Sequence, residues 1–261
     1  MSLVHHQQTL PLYVWQSRST CPSERYITHH RVANDALSTL PRGPIGFDLE
    51  WRPNFIKGQP ENPVAVVQIA SADTVLIIQV SKMKTFPSKL QEVLYSTEWL
   101  KIGVSIQRDC EKLYKDWRIS VRNCVDLSLL ARSIDNARWK GRYTNPIGLA
   151  RLLETYDMTT LAKGKTQRSN WESTLSPSQQ TYAANDAHAA YTIYSHLLEM
   201  ARVAQPVLHP IYFSFSYVGG TLLDHLGRLP WVPKNPNYDP GPPPPPKAPK
   251  QKAPTQDQQP N

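Results

Sequence analysis

Two β-rich runs stand almost back to back: Val64-Ala65-Val66-Val67-Gln68-Ile69-Ala70 and Val75-Leu76-Ile77-Ile78-Gln79-Val80. Only Ser71-Ala72-Asp73-Thr74 separates them, a polar link that suits a tight hairpin. Neither run alternates apolar with polar residues, so both strands need cover on both faces. That requirement points to an α/β domain, and 40% hydrophobic residues in 261 are enough to bury one full-sized core of this kind.

Covering helices and further strands can be read along the chain. Tyr26-Ile27-Thr28 reads as a short strand, and Val32 to Leu40 as a helix with Val32, Ala36, Leu37 and Leu40 on one side. Pro44 to Trp51 reads as a strand, Ser88 to Tyr95 as a helix opened by Pro87, and Lys101 to Ile106 as another strand. A helix from Arg108 to Asp116 follows, then a strand merging into a helix over Cys124 to Leu130, then a helix from Ile147 to Tyr156. The best-marked element is a long helix from Pro177 to about Met200. Ser176 is its N-cap, Pro177 fills its first turn and Gln179 closes a capping box. Residues 202–231 are rich in aromatic and apolar residues but show no clear periodicity. The expected organisation is a lead-in over 1–24, a domain over 25–200, an extension over 201–229 packing on or near it, and a Pro-rich, disordered tail over 230–261. The run Pro242 to Pro246 in that tail favours polyproline II and could recruit an SH3- or WW-type partner, or serve only as a solubilising tail.

A formal charge of +8 fits a polyanionic partner, although many soluble proteins are mildly basic. Cys21, Cys110 and Cys124 form no CxxC pair, which argues against a zinc module or a disulfide framework and for a reducing compartment. No apolar run approaches the length of a membrane span, and Met1 to Thr9 lack a signal-peptide core. The expectation is an intracellular protein without a membrane partner, with the nucleus favoured over the cytoplasm.

The chemistry rests on acids. Asp48 and Glu50 stand two apart in Gly46-Phe47-Asp48-Leu49-Glu50-Trp51, so on a strand they project from one face while Leu49 projects from the other. The apolar flanks mark that strand as buried, and buried like charges need a cation. Tyr182 and Asp186 stand four apart on the long helix and share a face, among small residues that let the helix approach closely. Asp109 follows the Gly103-Val104-Ser105-Ile106 strand end, where α/β sheets place functional groups. Asp116 and Asp126 compete with it, and Asp126 could instead cap its segment. Acids placed this way can cage two divalent metal ions, Mg²⁺ or Mn²⁺, for attack of water on a phosphodiester.

Asp48-x-Glu50, Asp109 and Tyr182-xxx-Asp186 resemble the DEDDy group of 3′–5′ exonucleases, in the ribonuclease D and Werner-syndrome-type branch of the ribonuclease H-like superfamily. Phe47 to Trp51, Lys101 to Ser105 with Asp109, and Ser169-Asn170-Trp171 followed by Tyr182 to Ala187 resemble the three motifs in order, over roughly Tyr26 to Leu198. The resemblance implies a mixed, roughly five-stranded sheet flanked by helices on both sides. It implies a nucleic-acid substrate, DNA or RNA, shortened from the 3′ end to nucleoside 5′-monophosphates. Asp48 would bridge two ions, Glu50 and Asp186 would complete the nucleophile-side ion, Asp109 would support the second, and Tyr182 would orient water. Leu49 and Trp51 would pack against the terminal base or sugar, with core packing an equal reading for Trp51. Lys163 and Arg168, with Lys165, could hold phosphates, or form a solvated loop. The aromatic residue that Werner-type enzymes carry just after the second-motif aspartate is replaced here by Cys110-Glu111. A nuclease-like binding adaptor of weak activity is the alternative function, and a polymerase's proofreading partner a third reading.

Overall fold

The computed structural model describes residues 10–162 and 164–243. Eight strands form one mixed sheet: β1 (Ser23–Ile27), β2 (Gly43–Glu50), β3 (Val66–Ala70), β4 (Thr74–Ile78), β5 (Trp99–Gly103), β6 (Val121–Asp126), β7 (Ser214–Val218) and β8 (Thr221–Asp224). Their spatial order is β1-β4-β3-β2-β5-β6-β7-β8. The central pairs β2–β5 and β5–β6 are parallel, whereas β2–β3 and β3–β4 are antiparallel. Six helices accompany the sheet: α1 (His30–Ser38), α2 (Ser88–Tyr95), α3 (Ile106–Trp117), α4 (Leu127–Ile134), α5 (Leu149–Tyr156) and α6 (Pro177–Ala204).

The two apolar runs form the β3–β4 hairpin, closed by the Ser71 amide donating to the Thr74 carbonyl at 2.8 Å. Every residue of β3 is buried, because the sheet is covered on both sides. Val67 and Ile69 face a core built with Leu37, Leu90, Leu94 and Leu113, from α1, α2 and α3. Val66 and Ala70 face the opposite core, with Leu130, Leu152, Ala183 and Ile193, from α4, α5 and α6. Each fully buried Val, Leu or Ile contributes about 1.5–3 kcal/mol relative to exposure, so this two-sided burial is what holds the hairpin at the centre of the molecule. Among the described residues no helix is long and apolar enough to cross a membrane.

The sheet is wider than the five strands expected. The 202–231 segment supplies the β7–β8 hairpin, which pairs with β6 and extends the sheet. Its turn is Gly219-Gly220, both at positive φ (59° and 83°), the geometry of a two-residue hairpin loop. Packed contacts continue past Pro230. Trp231 is buried and stacks on Phe215 at 5.0 Å, and its indole Nε1 donates to the Ile211 carbonyl. The Tyr238 hydroxyl donates to the Trp139 carbonyl. These aromatic anchors bury area that a Pro-rich composition alone does not reveal. Residues 244–261, with most of the proline run and any partner of it, lie outside the described residues. At the other end, Tyr13 and Trp15 are buried against α6: the Trp15 amide donates to Asn185 Oδ1 at 3.0 Å, and Tyr13 Oη meets His188 Nδ1 at 2.6 Å.

Helix α6 begins as the sequence indicates. Ser176 accepts from the Gln179 amide, and the Gln179 side chain reaches back to the Ser176 amide. The helix then crosses β2 in very close contact. A Cβ built on Gly46 would lie 1.8 Å from the Ala187 carbonyl oxygen, so no other residue fits there without moving one element. Gly103 is similarly pinned: a Cβ built there would lie 2.9 Å from the Phe47 carbonyl oxygen, where β5 runs beside β2.

Candidate active site

β2 alternates between two covered faces. Phe47 and Leu49 belong to the core under α1–α3, while Gly46, Asp48 and Glu50 face α6. Because α6 lies against Gly46, Asp186 arrives beside the two strand acids. Asp48, Glu50 and Asp186 each offer an oxygen within 4.8 Å of the others. Tyr182 lies one turn earlier on the same helix face, its ring 6.0 Å from Trp171. Asp109 comes from the first turn of α3, the helix that follows β5. The chain leaves β5 at Gly103 and turns through Ser105 in the left-handed region (φ 56°), which aims the start of α3 back toward β2. All five groups line one open cleft of about 820 Å³.

The electrostatics follow from this crowding. Burial pushes Asp48 up to about 7, against a weak opposing hydrogen bond from its neighbour's backbone. Burial and then the Asp48 charge raise Asp186 to about 8. Burial, followed by the charges of Asp48, Asp186 and Asp109, carries Glu50 to about 10. Asp109 is pushed well above the usual carboxylate range by burial and by Asp48. The Tyr182 phenol is likewise held protonated by burial and by the Asp186 and Glu50 charges. Among the described residues no cationic side chain forms an ion pair with the three clustered acids, and Asp186 Oδ1 has no hydrogen-bond partner. Hard carboxylate oxygens converging on one point, one of them orphaned, fit a divalent cation such as Mg²⁺ or Mn²⁺.

The acids that competed with Asp109 have other roles. Asp116 Oδ2 accepts the Val64 amide at 2.9 Å and pairs with Lys112 at 3.1 Å. Asp126 is the N-cap of α4, accepting the Ser128 and Leu129 amides. His188 faces away from the site, held by Tyr13 and the Ala72 carbonyl.

Leu49, Trp51 and Arg168 also line the cleft; Lys163 lies outside the described residues. Trp51 is half-buried, with the Lys112 ammonium 4.6 Å from its ring centroid, and both residues line the cleft. Of the two residues that replace the family's aromatic, Cys110 turns into the core with its sulfur 3.7 Å from that of Cys124, and Glu111 lines the cleft. Sequence reasoning overlooked Arg108, Lys112 and Lys115, which reach the cleft from α3. Their spacing of four and three residues is itself the signal of one helix face.

A family model described as "3′-5′ exonuclease" matches residues 25–202. A "3′-5′ exonuclease" of Arabidopsis thaliana is 33% identical over 160 residues, covering 60% of this chain and 53% of that protein. The "Bifunctional 3′-5′ exonuclease/ATP-dependent helicase WRN" of Mus musculus is 32% identical over 178 residues, covering 67% of this chain and 12% of that protein. The chain thus spans about half the length of the first relative and a small part of the second. Among solved structures, Trypanosoma brucei RNase D in complex with RNA U12 superposes with a TM-score of 0.57 at 19% identity, covering 72% of this chain and 73% of that one. The mixed sheet with helices on both faces is therefore the ribonuclease H-like fold, the β7–β8 hairpin widening it. With two-thirds of its length inside the matched span, this chain belongs to the 3′-5′ exonuclease family.

Proposed function

We propose that the protein is a metal-dependent 3′–5′ exonuclease that removes nucleoside 5′-monophosphates one at a time from a nucleic-acid strand. The observation that carries this reading is the convergence of Asp48, Glu50 and Asp186 within 4.8 Å inside the span matched by the family. Divalent ions, Mg²⁺ or Mn²⁺, two by the two-metal reading, would be held by these acids and Asp109. When bound, they supply positive charge that makes water a better nucleophile and offsets the charge on the departing 3′ oxygen.

The chain's own residues do the rest. Tyr182 stays protonated between Asp186 and Glu50, so its hydroxyl is available as a donor that orients the attacking water. Leu49 and Trp51 form an apolar wall beside the acids for the terminal nucleoside. Exposed Arg108, Lys115 and Arg168 border the same cleft and suit backbone phosphates, a contact that carries no base information. DNA and RNA are therefore both offered as substrates.

The test uses matched 5′-labelled DNA and RNA oligonucleotides. The wild-type protein should shorten them stepwise from the 3′ end with Mg²⁺ or Mn²⁺ and stop in EDTA. Asp48→Ala should retain its circular dichroism spectrum and lose activity by on the order of 10³-fold, the scale of removing a principal electrostatic stabiliser. Degradation by Asp48→Ala at the wild-type rate would overturn the assignment.

A further inference from the structure

Gln68 is a second polar residue that the fold buries at this site, and nothing in the motifs accounts for it. It sits in the middle of β3, is completely buried, and has neither Nε2 nor Oε1 hydrogen-bonded among the described residues. In the β2–β3 ladder it is the direct partner of Asp48. Directly opposed residues of an antiparallel pair share a face, with Cβ atoms about 4.5–5.5 Å apart. A glutamine side chain is long enough to span that gap and bring its amide to the Asp48 carboxylate.

The rest of the core shows that this orphan is not a general habit of the fold. Gln79, equally buried, is fully engaged: its Nε2 donates to the Trp171 and Ser173 carbonyls, and its Oε1 accepts from the Tyr26 hydroxyl. Apart from Asp48, the ladder and strand neighbours of Gln68 on its own face, Val66, Ala70 and Ile77, are apolar. An aliphatic residue would suit packing better, and an unmade hydrogen bond in a dry interior costs stability. A second orphaned oxygen, Asp186 Oδ1, belongs to the same acid cluster. The other unpartnered buried atoms among the described residues, Arg122 Nε on β6 and His225 Nδ1 just after β8, lie at other strands, whereas Gln68 is the ladder partner of one member of the acid cluster and Asp186 is another.

We propose that Gln68 is a positioning residue for Asp48, its side-chain amide donating to one carboxylate oxygen so that the other is turned toward the divalent cation. The inference rests on the cation-binding reading of the acid cluster above. Outer partners of this kind orient a carboxylate and hold it in its charged form.

Binding of Mn²⁺ alone, followed by calorimetry with wild-type protein and Gln68→Met, tests it. Methionine keeps the length of glutamine and removes the donor. The expected result is Mn²⁺ affinity reduced about tenfold, with the melting temperature in EDTA unchanged or higher, since the orphaned amide is gone. Equal Mn²⁺ affinity with a raised melting temperature would mean that Gln68 only burdens the core, and would overturn the proposal. If wild-type protein itself takes up no Mn²⁺, the cation reading fails and this one with it, whereas binding that is lost in Asp48→Ala but unaltered in Gln68→Met defeats this one alone. Should Gln68→Met not fold, NMR of the wild-type Gln68 side-chain amide decides: its NH₂ resonances should move on saturation with Mg²⁺. Unmoved resonances at saturation would also overturn it.

Discussion

Arg132 and the acid cluster are both buried charge, and the protein treats them in opposite ways. Arg132, in α4, is only 5% exposed. Its Nε donates to the Asn145 carbonyl, and its Nη1 lies within hydrogen-bond distance of the Trp139 and Lys140 carbonyls and the Tyr238 hydroxyl. Neutral dipoles from three stretches of chain surround one cation, and nothing more is needed. Asp48, Glu50, Asp109 and Asp186 instead crowd one another: the Asp48 charge raises the other three, and Asp109 and Asp186 add to the shift of Glu50. The first arrangement fastens a loop and the C-terminal segment to the domain. The second is costly by itself and is relieved only by a cation from outside. The difference separates a buried charge kept for structure from buried charges kept for chemistry.

The largest effect expected from that contrast is on stability. Arg132→Met should leave the Asn145 and Lys140 carbonyls without their side-chain donor, with Trp139 kept only by Tyr238, and lower unfolding free energy by roughly 3 kcal/mol or more. Urea denaturation reads it, and the rate per folded molecule should stay at the wild-type value. A variant of unchanged stability that no longer degrades oligonucleotides would erase the contrast. Tyr182→Phe should do the reverse: kcat lower by roughly 10²-fold, KM and urea midpoint nearly constant. Unaltered kcat would remove Tyr182 from the water-orienting role.

The smallest effect is a pH dependence of opposite sign with and without ions. In EDTA the folded pKa values of Asp48 and Asp186, about 7 and about 8, lie above those of unfolded carboxylates. From about pH 4 to 8 the native state therefore binds more protons than the unfolded state. The stability they contribute is complete below the unfolded pKa and is lost as pH rises through the folded values. With saturating Mn²⁺ the ionised form is the one bound, so the melting temperature should rise with pH over that window. Parallel slopes in EDTA and Mn²⁺, measured by thermal melts between pH 5 and 8, would show that the acids are not a cation site.

Much of this was legible because local signals and global packing agree. The β3–β4 hairpin declared itself through uninterrupted apolar residues, and α6 through its capping box. Asp48 and Glu50 share a face because strand geometry leaves no choice. The rivalry among Asp109, Asp116 and Asp126 was not resolvable from spacing, because it depends on which side of α3 meets β2 and on how β6 ends. Only the fold shows Asp116 committed to Lys112 and the Val64 amide, and Asp126 to a helix cap. β7 and β8 are short, and their apolar residues do not alternate cleanly; the Gly219-Gly220 pair was the readable clue. Lys101 had no local signal at all. It sits fully buried in β5, with its Nζ reaching the Ser96 and Trp99 carbonyls at 2.7 Å, and burial lowers it to about 8.

The contact at Gly46 has a consequence for how such a centre can evolve. The gap between strand and helix is there no thicker than a hydrogen atom allows. The spacing of oxygens donated by the two elements is thereby fixed like the jaw of a spanner set to one bolt. Even a methyl group at that position would prise the jaws apart, and a calibre suited to one small ion would be lost with all four acids still in place.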